Sequence, residues 1–209
     1  MKRLIPIFFL ILSMGSEAQF TFGLRAGLNS NKYILENNTL SVENARFGFV
    51  GGMFFRIQSG FFSFQPEVLY SQKNGKYTYS TLESGLDTLF KNNFNFVDIP
   101  FIFNLHFGKA VRLNSGPVFN LLLKEDVRYI IENDANINSI TDQVSNVINV
   151  AWQAGFGLEI KNICFDIRYE YSLNKVMQTF YIPGAGINLN PEARNSLWQF
   201  TLGIKFGNN

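Results

Sequence analysis

Eight stretches of this chain alternate apolar with polar or small side chains at a period of two, and this repetition restricts the fold more than any other feature. Successive side chains of a strand point to opposite faces, so each stretch builds one apolar and one polar face. The clearest is 19–29, where Phe20, Phe22, Leu24, Ala26 and Leu28 oppose Thr21, Gly23, Arg25, Gly27 and Asn29. The same pattern recurs over 46–57, 61–72, 94–107, 111–122, 147–160, 163–172 and 196–206. It is weakest in 46–57, where glycine occupies both faces. Each stretch is about 10 to 13 residues long. A tilted strand crosses a bilayer in roughly 9–11 residues, whereas a soluble strand is typically about 5–6.

The connections alternate short and long. Gln58-Ser59-Gly60, Gly108-Lys109-Ala110 and Lys161-Asn162 read as tight turns, while 30–45, 73–93, 123–146 and 173–195 read as long polar loops. Outer-membrane barrels have short periplasmic turns and long extracellular loops, and long unstructured loops do not suit a compact soluble domain. The expectation is an all-β, eight-stranded, antiparallel up-and-down transmembrane β-barrel in the outer membrane of a Gram-negative bacterium, with both termini periplasmic and membrane lipid as its surroundings. The competing architecture is a soluble exported barrel with Phe20, Phe22 and Leu24 turned inward and Arg25 outward.

The N-terminus agrees with export. Lys2 and Arg3 precede an apolar run from Leu4 to Met14, and Ser16-Glu17-Ala18 is a small-x-small site. A cleaved signal peptide over 1–18 is expected, leaving 19–209 as one barrel domain. The run is too short for a spanning helix. Cleavage leaves 16 basic and 15 acidic residues, a net charge of +1. Such a balance offers no basic face for a nucleic acid. Cys164 is the single cysteine, which excludes an intrachain disulfide and a cysteine-based metal site.

The polar faces carry Arg25, Arg56, Glu67, Asp98, Arg112, Glu159, Asp166, Arg168, Glu170 and Lys205, five of each sign. An eight-stranded barrel is just wide enough to be filled by its own side chains. These residues are therefore expected to form a structural charge ladder that plugs the lumen, each charge paired because burial of a lone ion is costly. Glycines on the same face (Gly23, Gly27, Gly52, Gly116, Gly155, Gly157 and Gly203) are expected to make room for the long charged side chains. Tyr70, Trp152, Tyr169, Tyr171 and Trp198 are candidates for aromatic girdles at both membrane interfaces. Pro66, Pro100 and Pro117 fall inside strands, and local bulges are expected there.

Little points to catalysis. His106 is the only histidine, and no serine stands beside it in the sequence to form a dyad. It reads as a residue of the periplasmic rim. The arginine within Asp166-Ile167-Arg168-Tyr169-Glu170 favours charge neutralisation over paired-carboxylate chemistry. Gly155-Phe156-Gly157 has no following helix to complete a phosphate site. No calcium-loop pattern occurs. No catalytic, cofactor-binding or metal-ligating set is expected, although lipid-modifying activity is an alternative. Loop 173–195 carries Val176, Met177, Phe180, Tyr181 and Ile182, apolar residues that need a partner or must cap the barrel mouth.

Several short motifs resemble one family. Phe22-Gly23-Leu24-Arg25-Ala26-Gly27-Leu28-Asn29, the run from Gln65-Pro66-Glu67 to Lys73-Asn74-Gly75, and Val97-Asp98-Ile99-Pro100 occur in its order and spacing. So do Gly155-Phe156-Gly157-Leu158-Glu159 and Arg168-Tyr169-Glu170-Tyr171-Ser172-Leu173. The chain thus resembles the outer-membrane β-barrel family of Bacteroidetes that includes PorT. The resemblance implies insertion by the outer-membrane assembly machinery and tolerance of proline at positions 66 and 100. It also admits partners among secretion-system, gliding or other envelope proteins, while carrying no reaction.

Overall fold

The computed structural model describes residues 19–35, 40–42, 45–80, 87–131, 138–140, 143–145, 147–175, 177–182, 187–189 and 193–207. The expected signal peptide, 1–18, lies outside the described residues. Thirteen strands occur among those described. Eight are long: β1 (Gln19–Leu35), β3 (Arg46–Ser59), β4 (Phe62–Ser80), β5 (Asp87–Phe107), β6 (Val111–Ile131), β9 (Ile148–Ile160), β10 (Ile163–Ser172) and β13 (Ala193–Phe206). Five short ones, β2 (Leu40–Val42), β7 (Asn138–Ile140), β8 (Gln143–Ser145), β11 (Met177–Ile182) and β12 (Ile187–Leu189), add to one end.

The long strands pair in the order β1-β3-β4-β5-β6-β9-β10-β13, and β13 returns to β1, all antiparallel. The sheet closes as an eight-stranded barrel, which removes the unpaired edges that an open sheet would present. Among the described residues no helix is long and apolar enough to cross a membrane. In a lipid environment a closed barrel is the other structure that satisfies every backbone group.

Both described chain ends and the three tight turns share one rim. Gln19 pairs with Gln58 and Phe22 with Phe206 at that rim. Gly60 and Gly108 adopt φ of +58° and +67°, the left-handed conformation that a tight hairpin needs and glycine takes without penalty. Lys161 adopts φ +54° in the third turn, an uncommon conformation for a side chain with Cβ. At the opposite rim the strands run further than the apolar pattern reaches. β4 continues to Ser80, β5 begins at Asp87 and β6 continues to Ile131. The segments 73–93 and 123–146, expected as long loops, are in large part strand. Hydrogen-bonded pairing needs no apolar face once the strands leave lipid, so alternation of polarity underestimates strand length. The segment expected as loop 173–195 contains β11, which pairs with β8, β12 and β13. Val176 lies outside the described residues.

The three prolines do not produce the expected bulges. Register runs unbroken past each, and the ladder opens on one side only. Pro66 pairs with Phe101 of β5, Pro100 with Val118 of β6, and Pro117 with Trp152 of β9. A strand residue directs its N–H to one neighbour, so proline forfeits one hydrogen bond there and keeps its other partner. The register shift instead lies between Asn95 and Phe96, where β6 carries one extra residue: Asn95 pairs with Lys124 and Phe96 with Leu122.

Four lumen-side glycines also act differently from expectation. A Cβ on Gly27, Gly52, Gly116 or Gly155 would collide with the backbone carbonyl of Phe200, Val68, Phe101 or Ile167. These glycines permit close approach of neighbouring strands, rather than space for charged side chains. Gly157 does serve the expected purpose, since its Cβ would lie 2.7 Å from both Arg112 Nε and Asp166 Oδ1. Gly27 lies on the seam that closes the sheet. Gly27→Val is expected to cost about 1–3 kcal/mol through forced separation of β1 from β13. Urea titration of the refolded barrel measures it, and an unchanged midpoint would show that the seam can widen freely.

Candidate functional site: the charged lumen and its two rims

The apolar faces point outward. Phe20, Leu24, Leu28, Phe49, Met53, Phe55, Leu113, Phe156, Leu158, Leu202 and Ile204 are all exposed on the outer wall. The polar faces point inward, so Phe20 and Leu24 do not form the core that a soluble barrel would require. The lumen is mixed in character. Val50, Phe54, Leu69, Phe94, Phe96, Ile102, Val118, Ala151, Cys164 and Leu197 are buried among the polar groups. The Phe54 ring lies under two guanidinium groups, 4.9 Å from Arg25 and 5.7 Å from Arg56, an arrangement that favours cations over the ring face.

The ten ladder residues come together inside the barrel. Lys205, near the short-turn rim, contacts Glu159 at 2.7 Å. Glu159 also accepts from Arg56 at 2.5 Å and lies 2.9 Å from Arg112. Arg112 donates to Asp166 at 2.6 Å, and Arg25 reaches from Asp166 to Glu67, 3.1 Å from each. Arg168 grips Glu67 with both Nη atoms, at 2.9 and 3.1 Å. Gln65 bridges, accepting from Arg56 and donating to Glu67, each at 2.6 Å. This cluster holds five cations and three carboxylates.

A second cluster completes the network nearer the long hairpins. Lys73 lies 2.7 Å from Glu170 and 3.2 Å from Asp98. Asn120 donates to Asp98 at 2.7 Å. Gln153 links the clusters, accepting from Arg168 at 3.3 Å and donating to Glu170 at 3.4 Å. Lys73 was missed by the reading of sequence, which placed it in a loop. Its one available signal was that odd positions of β4 (Ser63, Gln65, Glu67, Ser71) already faced inward. Lys73 is 1% exposed, and Arg112 and Arg168 are fully buried. Charges this deep are tolerated because each finds a partner and further hydrogen bonds.

His106 gains a partner that adjacency in sequence could not reveal. Ser63 of β4 places Oγ 2.9 Å from His106 Nε2. The expectation of no serine partner is thereby corrected: register brings together residues 43 apart. Across the strand pair His106 faces Arg112. Among the described residues no carboxylate hydrogen-bonds to the ring, so nothing orients it as a general base in the manner of a catalytic triad. Nor does any group of His, Cys, Asp and Glu among the described residues have the arrangement to hold a metal ion.

The aromatic candidates gather toward one interface instead of two. Tyr70 lies eight residues from the short-turn end of β4 at Phe62, Trp152 eight from Ile160, Tyr171 eight and Tyr169 six from Ile163, and Trp198 eight from Phe206. Trp152 Nε1 donates to Ser115 Oγ at 3.0 Å, and the Tyr169 ring packs at a tilt against Trp198, 5.1 Å between centroids. The short-turn rim carries phenylalanines in their place: Phe20, Phe61, Phe62, Phe107 and Phe206 are exposed there.

Residues 15–178, more than three-quarters of the chain, match the model of the family described as outer membrane protein beta-barrel domain. The chain belongs to the outer membrane β-barrel domain family. No curated protein matches its sequence. Among solved structures, this family member is similar to Ail, the attachment invasion locus protein of Yersinia pestis, at 14% identity and a TM-score of 0.44, over 90% of this chain and 99% of that one. It is similar to Neisserial surface protein A at 15% identity and a TM-score of 0.41, over 91% of this chain and all of the other. It is similar also to the outer membrane protease OmpT of Escherichia coli at 10% identity and a TM-score of 0.40, over 91% and 97%. The outer membrane barrel family assigns the outer wall to lipid, which agrees with the direction of the apolar faces.

Proposed function

We propose that this outer-membrane barrel is non-enzymatic and closed to solute flow, and that it binds or scaffolds other envelope components through the hairpins above its long rim or through its short-turn rim. The observation that carries this reading is the lumen itself. Among the described residues, Lys73 and nine of the ten ladder residues, all but Lys205, are at most 9% exposed, and they pair in a network that crosses the bore. A water-filled pathway would require those pairs to part. Function then falls to β4, β5 and β6 where they run on past the apolar belt, a paired platform of the kind on which binding loops are usually carried, and to the short-turn rim. We place the short turns and both described ends in the periplasm by the usual asymmetry of outer-membrane barrels.

Reconstitution in planar bilayers tests the sealed lumen. No stepwise conductance is expected from the full mature chain, and steps that survive repurification would overturn it. A more specific reading follows from the residue resemblance to the PorT-containing family of Bacteroidetes, namely a part in protein secretion or gliding. Affinity capture after cross-linking in cells separates the two. Recovery of a defined set of secretion components supports the specific role. For the enzymatic alternative, the Ser63–His106 contact is the one observation in favour. Lipid A profiles from cells with and without the gene should be identical, and a lost acyl or phosphate group would sink the non-enzymatic reading.

A further inference from the structure

The charges of the lumen nearly balance in number but not in place. Toward the short turns, Lys205, Arg56, Arg112, Arg25 and Arg168 share Glu159, Asp166 and Glu67, an excess of two positive charges. Nearer the long hairpins the sign reverses, with Lys73 between Asp98 and Glu170. The excess is sharpest beside the short-turn rim, where Glu159 alone serves Arg56, Arg112 and Lys205. Arg56 meets no second carboxylate among the described residues. Its guanidinium joins that of Arg112 at a neutral atom instead: Gln65 Oε1 accepts from Arg56 Nε at 2.6 Å and from Arg112 Nη1 at 3.4 Å.

Two buried N–H groups at this point, Arg56 Nη2 and Asn104 Nδ2, have no acceptor among the described residues. Asn104 turns Oδ1 to Arg112 Nη1 at 3.1 Å, which fixes the amide and leaves Nδ2 as its unpartnered end. Arg56 is 2% exposed and Asn104 is fully buried. Arg25 Nε and Arg168 Nε are likewise unpartnered, but each of those arginines already meets both Glu67 and Asp166. A buried N–H without an acceptor is costly, and a buried charge in excess is more so. Water would satisfy the first deficit and leave the second, whereas an anion removes both.

We propose that the short-turn end of the lumen binds a monovalent inorganic anion of chloride size, held by Arg56 Nη2 and Asn104 Nδ2 with Arg112 as the second positive charge. Packing selects the size. Gln65, Asn104 and Arg112 are fully buried, and walls this close suit a single-atom ion over a tetrahedral oxyanion. The carboxylates of Glu159 and Asp166, held by other nitrogens of the same guanidiniums, disfavour a second negative charge. Half-buried His106 and Lys205, 13% exposed, mark the side from which the ion enters. Arg56 reaches from β3 to Glu159 on β9, so the ion fixes a side chain that spans the bore. The inference rests on the sealed lumen proposed above. Conductance steps would remove that reading, and ion-independent stability in a barrel that carries no current would remove this one alone.

The test is urea unfolding of the full mature barrel in phosphatidylcholine vesicles, read by the tryptophan emission maximum, in sodium chloride against sodium gluconate at equal ionic strength. Gluconate is too large to enter. At about 100 mM, chloride is expected to lower the unfolding equilibrium constant about tenfold, as a site of roughly 10 mM affinity would. Equal stability in the two salts would overturn the site and assign both N–H groups to water. A larger effect from phosphate than from chloride would overturn the single-atom assignment. Lys109→Gln/Lys161→Gln, on the exposed short turns, should keep the whole chloride effect, and its loss there would move the ion to the surface. Asn104→Asp supplies the anion covalently. It should be more stable than the parent in gluconate and respond less than about twofold to chloride. A folded Asn104→Asp barrel that keeps the full response overturns the site. Where that variant does not fold, crystals of the parent grown in bromide decide: an anomalous peak beside Arg56 and Asn104 supports the proposal, and its absence there overturns it.

Discussion

Arg168→Met is expected to lower the unfolding free energy of the barrel by about 3–5 kcal/mol, the cost of leaving buried carboxylates without their partner. Arg168 is fully buried and donates to Glu67 twice, at 2.9 and 3.1 Å, while lying 3.6 Å from Asp166. Arg25 and Arg112 remain to neutralise those carboxylates in part, so the effect stays within that range. Methionine preserves much of the volume, which separates loss of charge from loss of packing. Adding Glu67→Gln to the variant should recover more than half of the stability, because the stranded anion is then removed as well. Guanidinium titration in lipid vesicles, followed by the fluorescence of Trp152 and Trp198, measures both. A loss of about 1 kcal/mol or less, the scale of a solvent-exposed pair, would mean that water reaches the network and that the lumen is not sealed.

Leu202→Arg should destabilise the barrel by about 2–4 kcal/mol in a bilayer, the penalty for an arginine on the lipid face near the midplane. Leu202 is 56% exposed at the centre of the apolar run from Trp198 to Phe206, between Ala26 of β1 and Phe165 of β10. Lys32→Arg, on the outer wall of β1 beyond that run, should change stability by about zero. The contrast between positions is informative, since a soluble barrel would accept arginine equally at both. Equal, small effects would remove the membrane from the account of the outer wall.

What could be read from the chain depended on whether a property was local. Phe22-Gly23-Leu24-Arg25-Ala26 declares two faces by itself, because alternate side chains of any strand diverge. The turn at Gly60 and the turn at Gly108 were equally legible, since a left-handed residue in a tight hairpin has few candidates. Strand ends were not. Polarity stops alternating where lipid stops, yet β5 runs from Asp87, seven residues before the expected start at 94. The prolines misled for a similar reason. The sequence names the missing donor, but whether that donor would have faced a neighbour that needs it depends on the partner strands.

The candidate sites divide along the same line. All ten expected ladder residues are inside the barrel, because facing inward follows from parity alone. Their pairing does not. Arg25 meets Asp166 across 141 residues and Arg168 meets Glu67 across 101, and such contacts exist only once register and closure are set. The same holds for Ser63 with His106, for Lys73 within a strand that reads as loop, and for Lys124, whose side is reversed by one inserted residue. By itself the sequence determined that this chain makes a two-faced sheet with apolar residues toward lipid and balanced charges within. Tertiary structure alone decided which charges neutralise one another, where the ladder opens and which side of the wall Lys124 takes. Alternation is a property of one strand, whereas each of these is a relation between strands that only the closed hydrogen-bonded ring aligns.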